Sequence, residues 1–244
     1  MESLFVGTAG WSIPKQHAAK FPTIGTHLER YAKMFNCVEI NSSFYRPHRP
    51  STWARWASSV PPNFRFSVKV PRGITHESGL VCPNEQLRAF LEQITALQVH
   101  LGPLLIQLPP KQAFEEPIAS RFLESFRAEF PSGPIVLEPR HPSWFAPGVS
   151  ATLERLRISR VAADPATVDE GRVPGGDLSV AYFRLHGSPR TYYSSYDEAS
   201  LDRIAQAIQG LPSSRVYCIF DNTALGHATG NALEIARRAR LTAQ

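Results

Sequence analysis

Cysteine is scarce in this 244-residue chain: Cys37, Cys82 and Cys218 stand far apart, with no CxxC pair and no metal-finger spacing. An odd, scattered set excludes a disulfide framework and fits a reducing, cytoplasmic setting. Long apolar runs are missing too. The longest, around Leu101 to Leu108, is far too short to span a bilayer, so no membrane partner is expected. The opening MESLFVGTAG has no basic region and soon turns polar, unlike a secretory leader. No GxGxxG follows a strand, no GxxxxGK[ST] loop occurs and no GxSxG elbow is present. These absences remove the usual nucleotide cradles and the serine-hydrolase turn, and no cofactor is called for. No basic block stands out either. The net charge of +5 and pI near 9.3 mildly favour a small anionic partner, with nucleic acid as an alternative.

What is present is a regular alternation. An apolar share of 43% and a charged share of 19% suit an ordinary globular core. Short apolar strands are expected at Leu4–Val6, from Cys37 through Asn41 toward Arg46, and at Phe64–Val70 and Gly102–Pro109. Further strands are expected at Pro134–Leu137, Arg160–Asp164, Val180–His186 and Val216–Asp221. Helical signals fall between them. Thr26-x-x-Glu29 is a capping box, and Leu87, Phe90, Leu91, Ile94 and Leu97 form the clearest helical stripe, with Asn84 as its N-cap. The Gly- and Pro-rich segment 165–179 reads as a loop in place of a helix. Eight strand–helix units predict a parallel α/β fold, a (β/α)8 TIM-like barrel in one domain covering 1–244.

In such a barrel the ligand site lies at the C-terminal strand ends. The strand ends supply Glu39, Asn41, Tyr45 and Arg46 after the second strand, and Lys69, Arg72 and His76 after the third. Gln107 follows the fourth; Glu138, Arg140 and Trp144 follow the fifth; Asp164 follows the sixth. Arg184 and His186 end the seventh, and Asp221 and Asn222 the eighth. Within PIVLEPRHPSWF, Glu138 and Arg140 share one parity and therefore one side of the sheet. A buried carboxylate and guanidinium are costly unless paired or bound to a ligand. Any one of these residues could be structural, but the ensemble suggests a polar site.

Three chemistries fit. Lys69, Arg140 and Arg184 could hold a phosphate or carboxylate while Glu138, Asp164 or His186 move protons, with Asn41 and Gln107 orienting the substrate. Glu138, Asp164, His186 and Asp221 could instead bind a metal for phosphodiester hydrolysis, an arrangement resembling xylose isomerase-like and endonuclease IV-like barrels. The arginines on the same faces oppose that reading, and no metal ligand is assigned. Lys69 could form a Schiff base if its pKa were depressed. A non-catalytic anion- or nucleic-acid-binding protein is the competing class. Loop aromatics, among them Tyr45, Trp144, Tyr192, Tyr193 and Tyr196, could stack on a ligand or pack onto the rim.

Several ordered motifs carry a family resemblance. EINSSFY (39–45), FSVKVP with ITH (66–76) and LGPLLIQLPP (101–110) resemble the YecE-like family, domain of unknown function seventy-two. RHPSW (140–144), YFRLHG (182–187) and FDNT (220–223) with Asn231-Ala also resemble its signatures. The resemblance spans nearly the whole chain. It implies a TIM-like barrel and no particular activity. In the family the position of Asp221 is often asparagine, which weakens a metal reading and favours anion capture.

Overall fold

The computed structural model describes residues 3–81 and 84–241; Cys82 lies outside them. Among the described residues, ten strands run in chain order. They are β1 (Ser3–Thr8), β2 (Cys37–Ile40), β3 (Arg65–Lys69), β4 (Leu101–Gln107) and β5 (Ile135–Glu138), followed by β6 (Ile158–Arg160), β7 (Ala162–Asp164), β8 (Gly175–Gly176), β9 (Val180–Leu185) and β10 (Arg215–Phe220). The helices are α1 (His27–Tyr31), α2 (Ser42–Tyr45), α3 (Pro50–Ser58), α4 (Arg72–Thr75) and α5 (Asn84–Ile94), then α6 (Ile118–Glu129), α7 (Pro147–Arg155), α8 (Glu198–Gln209) and α9 (His227–Leu241). None of them is long and apolar enough to cross a membrane.

The strands form two sheets, in the orders β1-β10-β9-β7 and β2-β3-β4-β5-β6-β8. Every pairing is parallel except β6 with the two-residue β8. The α/β character and the parallel sheets agree with the strand–helix alternation. The closed barrel needs correction: the hydrogen-bonded sheets stay open. Between β1 and β2 the backbone ladder shrinks to one bridge, Ala9 with Glu39. Side chains replace the rest. Asn36 accepts from Val6 N–H and donates to Leu4 O, while the Tyr31 hydroxyl accepts from Thr8 N–H and donates to Cys37 O. The strands lie so close here that a Cβ at Gly7 would fall 2.1 Å from the Cys37 carbonyl oxygen.

At the other seam the expected sixth strand is split. β6 pairs with β5 and β7 pairs with β9, so the chain changes sheets at Val161, whose N–H donates to Leu137 O. The second strand also ends earlier than expected. Ile40 is its last residue, Asn41 is already in the αR region, and α2 begins at Ser42. The Ser43 hydroxyl stabilises this turn, lying 2.9 Å from Ile40 O and 2.6 Å from Lys69 O. Segment 165–179 has no α-helix, only a 3-10 turn (Asp169–Arg172) and β8.

The apolar residues form two layers. A large cluster packs strands against helices, including Leu87, Phe90, Leu91 and Ile94 of α5. A small separate cluster takes Cys37, Leu105, Val136 and Val161 from one side, and Val180, Tyr182, Tyr217 and Ile219 from the other. Period-two alternation turns the next inward position of each strand toward the same side as this inner cluster. Two residues after Cys37 comes Glu39, after Val136 comes Glu138, after Tyr182 comes Arg184 and after Ile219 comes Asp221. The inner face thus changes from apolar to ionic toward the C-terminal strand ends.

Candidate functional site

Arg184 is the centre of the ionic layer. It is 1% exposed, and its guanidinium meets three carboxylates. Nη2 is 2.7 Å from Glu39 Oε1 and 2.9 Å from Asp221 Oδ2, and Nη1 is 3.0 Å from Glu138 Oε2. Nε also donates to Glu39 Oε2 at 3.0 Å. Arg184 and Asp221 lie in one sheet or at its end, and Glu39 and Glu138 in the other, so the cluster joins the two. Tyr182 adds a second link, its hydroxyl lying 2.9 Å from both Glu39 Oε2 and Ser67 Oγ.

His186 lies beside this arginine and is fully buried. Its Nδ1 is 3.0 Å from Asp221 Oδ2 and its Nε2 is 2.8 Å from Glu138 Oε1. Arg140 Nη2 comes 2.7 Å from the same Nε2 and 2.7 Å from Glu138 Oε1. Nε2 therefore has one of two roles. Protonated, it donates to Glu138; unprotonated, it accepts from Arg140. Burial alone would push the Glu138 carboxyl up, but Arg140, Arg184 and His186 together hold it well below the ordinary range. Asp221 is likewise lowered, with Arg184 and His186 overcoming its burial. Both are carboxylates at neutral pH.

Lys69 is different. It ends β3 and is 7% exposed, yet no carboxylate among the described residues lies within ion-pairing distance of its amine. Its contact is the face of Phe44, with Nζ 4.1 Å from the ring centroid. Burial, then the repulsion of Arg184, pushes its pKa down to about 8 against the opposing pull of Glu39, Glu138 and Asp221. The His76 ring contacts the same Phe44, with centroids 4.9 Å apart. Three side-chain atoms in this end of the fold are buried without a hydrogen-bond partner among the described residues: Asn41 Oδ1, Arg140 Nε and Asn222 Oδ1.

The remaining expected residues are more dispersed. Gln107 is half-buried at the end of β4, where it pairs in register with Glu138. Asn222 donates through Nδ2 to Ser194 O and Asn231 Oδ1, anchoring the loop that carries Tyr192. Tyr45 and Arg46 are exposed, and Arg72 pairs with Glu77 at the surface. Asp164 accepts from His186 N–H through its carbonyl, but its carboxylate has no bond to Glu138 or to the His186 ring. Its carboxylate accepts from the Tyr196 hydroxyl at 2.7 Å and lines a separate groove of about 360 Å³ with Arg172, Ser200 and Arg203. Trp144 is a correction: it is fully buried, edge-on to Phe114, and its Nε1–H donates to Gln112 O. Its ring is committed to the protein and offers no face to a ligand.

No group of three or more His, Cys, Asp or Glu among the described residues is disposed to hold a metal ion. A divalent ion at Glu138, His186 and Asp221 would have to displace the arginines already bonded there. Phe44 and Tyr182 belong to the site although the sequence pattern does not single them out. Tyr182 carries a usable signal, since it shares parity with Arg184; Phe44 carries none, because its helical turn has the pattern of a strand. Tyr192, a non-glycine residue at φ 70°, covers the edge of His186 with ring centroids 5.7 Å apart. Backbone strain of this kind recurs where loops close over sites.

Comparison with known proteins places these features in a family. The family model "Protein of unknown function DUF72" matches residues 5–244. The UPF0759 protein YecE of Escherichia coli K12 is 32% identical over 176 residues, which cover 69% of this chain and 62% of YecE. The chain thus spans less than two thirds of that relative's length. The UPF0759 protein YunF of Bacillus subtilis is 24% identical over 95% of this chain and 93% of its own. Crystal structures of DUF72 proteins from Enterococcus faecalis (EF0366) and Thermotoga maritima (TM1631) share the fold. Their TM-scores are 0.83 and 0.80, at 23% and 24% identity over 96% and 97% of this chain, and 94% and 99% of theirs. By the whole-chain match and the YecE relationship, the protein belongs to the DUF72 family.

Proposed function

We propose that the protein is a single-domain enzyme, built as an interrupted (β/α)8 barrel, that binds a small anionic substrate at the C-terminal strand ends. Eight parallel strands support the barrel reading when β6 and β7 are counted as halves of one strand. So do the cross-sheet bonds of Arg184 and Tyr182. One observation carries the functional reading: Lys69 is 7% exposed and has no counter-ion within ion-pairing distance among the described residues, although three carboxylates lie nearby. An unpaired buried cation is costly, and an anionic ligand would offset that cost.

Arg184 has a positioning role rather than a part in anion capture, because its donors are taken by Glu39, Glu138 and Asp221. Lys69 and the partly accessible Arg140 are left to hold the anion. Glu138, His186 and Asp221 form the proton-holding chain, in which Nε2 either donates to Glu138 or accepts from Arg140. The second reading, a binding protein without turnover, draws support from the complete burial of His186 and Glu138.

A thermal-shift panel of phosphate, sulfate, sugar phosphates, nucleotides, sugar acids, Mn²⁺, Mg²⁺, Zn²⁺ and short DNA and RNA tests the reading. A ligand at 100 times its Kd stabilises by about 2.7 kcal/mol. Small phosphorylated or carboxylated compounds should raise the Tm of the wild type and not of Lys69→Met. A shift with metals or nucleic acid alone, or an equal anion shift in Lys69→Met, would overturn it.

A further inference from the structure

We propose that Lys69 is a covalent nucleophile, forming an imine with an aldehyde or ketone that carries a carboxylate or phosphate. The inference rests on the anion-site reading and names its substrate class. The chain has five lysines, and Lys15, Lys20, Lys33 and Lys111 are exposed; Lys69 alone is buried. Elsewhere in the ionic layer the cations are arginines, which cannot lose a proton in a protein. Among the described cations of this layer, the one without a carboxylate partner is the type that can.

The surroundings suit that chemistry. Phe44 covers the amine on one side and supplies a dry wall. The backbone beneath it is fixed: Lys69 O accepts from the Ser43 hydroxyl, and Val70 N–H donates to Leu105 O. With its pKa near 8, about a tenth of the amine is neutral at pH 7, against well under a thousandth for an ordinary lysine. The neutral amine adds to the carbonyl carbon, the nitrogen loses a proton and the oxygen gains one, giving a carbinolamine. That hydroxyl takes a further proton and leaves as water while the nitrogen lone pair forms the C=N bond. The product is a protonated imine, with one proton taken up overall.

Trapping with cyanoborohydride tests this, because hydride addition to the imine carbon leaves a stable secondary amine. Full-length protein would be incubated with glyoxylate, pyruvate or glycolaldehyde phosphate, then analysed by intact mass and peptide mapping. The expected result is a single adduct on Lys69, formed about tenfold faster than on any exposed lysine. Its rate should rise between pH 7 and 9, and inorganic phosphate should suppress it. Adducts spread evenly over the five lysines, or none on Lys69, would overturn the inference. The thermal-shift panel separates the two failures. Lys69-dependent stabilisation by anions without an adduct sinks the imine and leaves the anion site standing. An adduct on Lys69 without any anion stabilisation sinks the anion-site reading.

Discussion

Arg184 and Lys69 are both buried cations near the C-terminal ends of parallel strands, and their surroundings are opposite. Arg184 has a carboxylate on each side of its fork, while Lys69 has an aromatic face and no carboxylate partner among the described residues. A buried charge with every donor satisfied has been compensated by the fold itself. One without a partner leaves a cost in place, and sites kept for function commonly carry such a cost. The contrast separates the residues that hold the two sheets in register from the one that can still react.

Removing the guanidinium should have the largest effect. Arg184→Met would leave Glu39, Glu138 and Asp221 buried together, and should cost about 3–5 kcal/mol in urea denaturation or prevent folding. A neutral outcome would mean that the cluster does not organise the sheets.

Acid should come next. Glu138 and Asp221 have folded pKa values below their unfolded ones, so their contribution is full above the unfolded values, near pH 4–4.5. It is lost as pH falls through the depressed folded values. The Tm of the wild type should therefore drop steeply below about pH 4. In Glu138→Gln this acid limb should be shallower; an unchanged slope would place the linkage on other carboxylates.

Lys69→Met should have the smallest effect, and of opposite sign. Its burial penalty exceeds the loss of the contact with Phe44, so the variant should be more stable than wild type at pH 7 by about 1–2 kcal/mol. The folded pKa, about 8, lies below the unfolded one near 10.4. The unfolded state thus binds more protons between these values, and wild-type stability should rise across that window relative to the variant. Urea titrations at pH 7 and 9.5 check both points. A destabilised Lys69→Met would make Lys69 a structural residue and remove the contrast.

The alternation of short apolar runs with helical stripes determined the α/β class and the parallel pairing, because strand and helix periods are local properties of the chain. Parity did as much for the site. Glu39, Glu138, Arg184, His186 and Asp221 converge because each falls at an even spacing from an inward apolar neighbour. Only the tertiary structure decided which of them pair. It set Arg184 among three carboxylates, sent Asp164 to a separate groove and buried Trp144 under Phe114. It also left the sheets open, with Asn36 and Tyr31 in place of a ladder between β1 and β2. Those outcomes depend on distances between residues up to 145 positions apart in the chain. No local pattern records whether a buried charge will meet its partner, so the unpaired amine of Lys69 became visible only once the whole fold was in place.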